Sequence, residues 1–131
     1  MSITEYLEQL VVRCNNEPNN VQIGWDAQHD ANRDFKLGSE NEIKAFIGNN
    51  GLERPDHEKS TQLKRWKDGS QPIAHSYAFF SEGKKGYISF YQVPKTEKIF
   101  IKSFKYHYDQ HAIDIANIKR LGIASDTTKE K

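Results

Sequence analysis

The chain has 131 residues and a formal net charge of +1, the length of one ordinary domain and enough to bury a core without a disulfide or metal staple. Mean hydropathy is −0.84, and no apolar run approaches the roughly 18 residues that read as a membrane span. Glu5 and Glu8 stand where a leader would carry positive charge, so the sequence predicts a cytoplasmic protein that neither enters a membrane nor uses the general secretory route. The single Cys14 excludes an internal disulfide framework and a cysteine-based zinc site, and no cofactor is expected.

Ser2 and Glu5 form a capping box, and Tyr6, Leu7, Leu10, Val11 and Cys14 recur at helical spacing behind it. They predict a helix over residues 3–14 with Cys14 on its apolar stripe. Asn15 to Asn20, with Pro18, stop it, and Val21, Ile23 and Trp25 alternate as a short strand. Residues 26–38 are polar and read as a loop. A second capping box, Ser39 and Glu42, opens a helix that buries Ile43, Phe46 and Ile47 and ends at Gly48-Asn49-Asn50-Gly51. Residues 52–60 are charged and contain Pro55, and Thr61 to Lys67 read as a helical turn with Leu63 and Trp66 facing inward. Three runs rich in aromatic and β-branched residues, 73–80, 87–93 and 99–106, predict strands. Their short polar connectors imply antiparallel neighbours. A last helix is expected after Asp109, with Ala112, Ile113, Ala116 and Leu121 facing the sheet and Gly122 as its stop. The expected architecture is one α+β domain over residues 1–124 with a loose tail at 125–131. It has an antiparallel sheet of three or four strands, with N-terminal helices and the C-terminal helix packed on one face.

The near-neutral total hides a split. Residues 1–58 hold five basic and eleven acidic side chains, whereas residues 59–131 hold fourteen basic and seven acidic ones and eleven of the fifteen aromatic residues. The basic half carries Lys84, Lys85, Lys95, Lys98 and Lys102 beside rings such as Tyr91. Lysines among exposed rings bind single-stranded nucleic acid through phosphate neutralisation and base stacking. The same pattern also describes strands whose rings fill the core and whose lysines blunt the edges.

Among the histidines, His107 stands at the end of a predicted strand beside Lys105 and Tyr106, where an imidazole could move a proton at a phosphate-binding surface. His107 and His111 are four apart and Asp114 follows, but spacing positions no third strong ligand, so no metal site is assigned. His29 and His57 follow or flank aspartates in polar segments and read as solvated, and His75 reads as half-buried in a strand.

The run Ile99 to Tyr108, closing on Lys105-Tyr106-His107-Tyr108, is similar to the strand and Arg-Tyr-His-Tyr terminus of the YoeB branch of RelE/YoeB-type ribonuclease toxins. The resemblance spans Leu63 to Leu121. It implies a small antiparallel sheet after N-terminal helices, with His107 as general acid or base, Tyr108 orienting or stacking on substrate and Lys105 holding phosphate. The family's inner-strand arginine falls at Ile88, and no arginine lies between Arg65 and Arg120, so charge would come from lysines, which lack the bidentate fork. Two functions are therefore carried forward. One is an RNA-binding toxin, with endoribonuclease action by metal-independent acid–base chemistry as a further expectation and with RNA and an antitoxin as partners. The other is a non-enzymatic protein-binding module, such as an immunity protein or the inhibitor of a target enzyme, using a charged aromatic face.

Overall fold

The computed structural model describes residues 2–110. Helix α1 runs Ile3–Asn16, with Ser2 accepting from the Glu5 N–H and the Glu5 side chain returning to the Ser2 N–H. A 3-10 turn over Pro18–Asn20 leads into β1, Val21–Ile23. Helix α2 spans Trp25–Phe35 and α3 spans Glu40–Gly48. Four strands follow: β2 Glu53–Gln62, β3 Ile73–Ser81, β4 Lys84–Gln92 and β5 Ile99–Tyr106. They form one five-stranded sheet in the order β1-β5-β4-β3-β2. β1 lies parallel to β5, and every other pairing is antiparallel.

The α+β class holds, and the sheet is larger and more mixed than the sequence predicts. The segment 26–38, expected as a loop, is mostly α2. It buries Ala27 and Ala31, one helical turn apart, with Phe35 completing the stripe against Phe79 and Phe104. Two alanines allow close approach to the sheet, but they give almost no hydrophobic periodicity to read. The helix ends on Lys36, a left-handed residue at φ 60° where a glycine is the usual signal. Residues 53–62, expected as polar coil running into a helical turn, are instead the edge strand β2. Every one of its side chains is exposed or half-exposed, because it covers only one neighbour's edge. Its charges, Pro55 and two register shifts are what an edge strand uses to resist pairing with other chains. Trp66 is partly exposed rather than facing inward, and Trp25 begins α2 rather than closing β1. The α3 cap also differs in detail: Glu42 accepts from the Gly38 N–H at 2.6 Å while Ser39 accepts from Glu42. The helix and tail expected beyond Asp109 lie outside the described residues.

One face of the sheet packs on the helices. Its core joins Leu7, Leu10 and Cys14 from α1 and Ile43 and Ile47 from α3 to strand residues including Phe79, Ile88, Ile101 and Phe104. Burial pushes the Cys14 thiol up to about 12, so the neutral form that packs as a small hydrophobe prevails. Gly86 is required where it stands, because a Cβ there would run into the Phe79 ring on the paired strand. Alternation then directs Ala74, Ser76, Ala78, Tyr87, Ser89, Tyr91, Phe100, Ser103 and Lys105 to the opposite face, which none of the three described helices covers.

Candidate nucleic-acid interface

The open face is where the basic and aromatic side chains collect. Across β4 and β5, Tyr91 pairs with Phe100, Ser89 with Ser103 and Tyr87 with Lys105. A register shift between Ser89 and Phe90 accommodates an extra residue, Lys102, on β5. Lys102 shares a groove of about 370 Å³ with Tyr91, Phe100, Lys64, Arg65 and Trp66. The Tyr91 and Phe100 rings lie 5.4 Å apart. Farther along the same face a larger cavity of about 640 Å³ opens between β2 and β5. Asp56, His57, Glu58 and Lys59 line it from β2, Tyr87 from β4, and Ser103 and Lys105 from β5, with Tyr108 at its rim. The Tyr87 hydroxyl donates to Ser76 Oγ at 2.9 Å, which holds that ring across the small residues of β3. Tyr108 is 81 % exposed.

His107 is placed differently from its two neighbours. Its side chain has no exposed surface, while Lys105 and Tyr108 border the cavity. Nδ1 accepts from the Asp109 N–H at 3.1 Å, so Nε2 carries the proton and donates to Glu58 Oε2 at 2.6 Å. Both ring nitrogens are thus engaged, and the Tyr87 and Tyr108 rings pack around the imidazole. The bond ties β2 to the end of β5 across two intervening strands. Glu58 can make it because it is the extra residue between His57, paired with Tyr77, and Lys59, paired with Ser76.

The other lysines divide between the ends of β4. At one end Lys85 pairs with Asp109 at 3.2 Å, and Lys84 lies beside it on the strand. At the other end Lys95 approaches Asp68 at 3.6 Å, and Lys98 is exposed in the turn before β5. Lys102 is exposed between these ends. The structure therefore brings Lys102, Lys105 and Tyr91 to one face and leaves Lys84, Lys85, Lys95 and Lys98 at its two margins. Reasoning from sequence missed Asp56, His57, Glu58 and Lys59, since nothing marked 52–60 as a strand. A signal existed in β3, whose run Ala74 to Phe79 is small, aromatic or apolar almost throughout and is buried, as befits a strand with neighbours on both edges.

Among the described residues, polar side chains tie the strands to the helix layer at two places. Asp34 on α2 accepts from the Tyr106 N–H at 2.8 Å. Burial pushes its carboxyl up, but the Arg33 guanidinium, the Tyr106 N–H and nearby Lys105 outweigh this and hold it below its ordinary value. The second place is a chain of hydrogen bonds: His57 Nε2 meets Ser60 Oγ at 3.0 Å, and Ser60 Oγ meets His75 Nδ1 at 3.0 Å. His75 in turn stacks on Tyr6 of α1 at 3.7 Å. Burial, and to a lesser extent repulsion from His57, lowers the His75 pKa from its ordinary value. The native state therefore binds fewer protons there than the unfolded chain. Its stability is intact above the ordinary histidine value, about 6.5, and falls as pH drops from there through the lowered value. Urea unfolding at about pH 7.5 and pH 5.5 should show a lower midpoint at the acid value, and His75→Gln should shrink that difference.

Among the described residues no cluster of histidine, cysteine and carboxylate side chains is arranged to hold a metal, and no helix is long and apolar enough to cross a membrane. Comparison with protein-family models, with curated proteins and with solved structures finds no match.

Proposed function

We propose that this chain binds single-stranded RNA along the open face of its sheet. The observation that carries the reading is convergence. Lys59 from β2, Lys64 and Arg65 from the β2–β3 connection, and Lys102 and Lys105 from β5 share one face with Tyr91, Phe100 and Tyr108. Lysines neutralise phosphates and release counterions, and exposed rings offer stacking platforms to any base. A sheet that presents both, with the three described helices on the other side, is suited to an extended strand. Small hydroxyl-bearing residues between the rings, Ser89 and Ser103, leave room for a backbone to lie close.

Binding is favoured here over cleavage by His107. A general acid or base must reach the proton that it moves, and this imidazole is buried with both nitrogens engaged. If the bound strand is cut in a toxin-like reaction, the groups lining the cavity that could serve are Asp56, Glu58, Lys59, Lys105 and Tyr108, since the His57 ring is turned to Tyr77 and Ser60. Fluorescence anisotropy with a labelled single-stranded RNA tests the reading. Saturable binding is expected, and Tyr91→Ala should weaken it by about 1–3 kcal/mol through lost stacking. Binding that is absent, or indifferent to Tyr91, would refute it. Denaturing electrophoresis of the same mixtures reports cleavage separately.

A protein-binding role has one observation in its favour. Trp25 is 75 % exposed at the start of α2, among acidic residues of that helix, and a tryptophan is the side chain most enriched at the centres of protein interfaces. Capture of one stoichiometric protein partner that Trp25→Ala abolishes, with no RNA bound, would favour this second reading.

A further inference from the structure

The helix side of the sheet holds a separate cavity of about 230 Å³, where α1 crosses the ends of β3, β4 and β5. Tyr6 and Gln9 reach it from α1, His75 and Ile73 from β3, and Phe90 and Gln92 from β4, with Gln71 and Ile99 at its ends. We infer that this cavity is a binding site for a neutral, planar heterocycle of nucleobase size. The inference concerns a different face from the RNA reading and stands whether or not that reading holds.

Shape and charge narrow the ligand first. The cavity is several times the share of one water molecule, about 30 Å³, and smaller than the usual pocket for a drug-sized ligand. None of its lining side chains carries a formal charge with histidine neutral, so an ionic ligand would be desolvated without a counter-charge. Its apolar walls are flat rings and two isoleucines. Tyr6 stacks on His75, and the His75 and Phe90 rings stand 6.3 Å apart. Ile73 is left 44 % exposed at the rim, a large apolar side chain that a flat ligand would cover.

The polar groups then set the hydrogen-bonding pattern. Gln92 Nε2 donates to the Thr96 carbonyl at 2.9 Å, and Gln71 Nε2 donates to the Leu63 carbonyl at 3.0 Å. One N–H of each amide is thereby engaged, so each side chain still offers its oxygen and a second N–H, the Gln71 oxygen already accepting a long 3.4 Å contact from Arg65. His75 adds a third group. Its ring is 8 % exposed and its Nδ1 is bonded to Ser60, which leaves Nε2 without a partner among the described residues. A buried polar atom of this kind is normally satisfied. Donors and acceptors together against ring walls fit the edge of a flat neutral ring such as a purine or pyrimidine base, with one of its N–H groups given to Nε2. A ligand that donates to Nε2 would hold the His75 proton on Nδ1, from which it is given to Ser60 Oγ.

The test is an NMR titration of the full chain with adenine, hypoxanthine and glucose as probes. Adenine should shift the His75, Phe90 and Gln92 signals saturably and move the His75 proton to Nδ1, read from its ring nitrogen shifts. Hypoxanthine, of the same size and also carrying ring N–H groups, should move the same signals, and glucose should leave them unmoved. Gln9→Leu, a change on the surface of α1, should weaken adenine binding without unfolding the protein, and Gln92→Leu should do so more strongly. Glucose shifts equal to those of adenine, or adenine shifts confined to Tyr91 and Tyr108 on the open face, would overturn the assignment. So would an unmoved His75.

Discussion

Replacing Phe104 with alanine should cost about 3–5 kcal/mol and lower the melting temperature by about 12–20 °C. Phe104 has no exposed surface and sits where all three layers of contact meet. Its ring meets Phe35 of α2 edge-on at 5.3 Å, Phe46 of α3 at 6.0 Å and Phe79 of β3 at 5.5 Å. No single neighbour can move into the space, because each is fixed by a different element. The cavity term therefore adds to the lost transfer energy. Phe104→Leu keeps most of the volume and should cost about 1–2 kcal/mol. Chemical denaturation of the two variants checks this. A loss of less than about 1 kcal/mol for the alanine variant would mean that α2 and α3 do not share one core with the sheet.

The second large effect separates structure from chemistry at His107. His107→Ala should destabilise the fold by about 2–4 kcal/mol, since it removes a buried ring and a hydrogen bond to a charged acceptor. It also leaves the Asp109 N–H and the Glu58 carboxylate without the partners seen at 3.1 and 2.6 Å. Glu58→Gln keeps an oxygen that accepts from Nε2 and should lose much less. A residue serving only as a proton donor or acceptor would show the opposite pattern, with stability unchanged and turnover lost. Equal melting temperatures for wild type and His107→Ala would contradict the burial described above.

How far the sequence carried can be judged element by element. Helices α1 and α3 were legible because their caps and apolar stripes are strong local signals, and β3, β4 and β5 because their residues favour strands. Helix α2 was not, since Ala27 and Ala31 supply its only buried side chains. β2 was not, since its structure comes from pairing with β3 and not from its own residues. The parallel pairing of Val21–Ile23 with β5 is a tertiary event with no local trace. The same limits apply to the site. That Tyr87 and Tyr91 share a face followed from strand alternation, whereas Lys102 and Lys105 have opposite parity along β5 and meet there only through the register shift at Lys102. The burial of His107 did not, because it depends on Glu58 in the segment that sequence misread. The acidic and basic halves of the chain also meet more closely than their separation suggested: Arg13 pairs with Glu97 at 2.9 Å, and Glu58 with His107.

The salt dependence of RNA binding tests the central claim most directly. If Lys59, Lys102 and Lys105 each contact a phosphate, the logarithm of affinity should fall with the logarithm of salt concentration at a slope near about −2, and Lys102→Ala with Lys105→Ala should make it shallower by about 1.4. An unchanged slope in the double variant, or affinity indifferent to salt, would contradict an RNA interface on the open face.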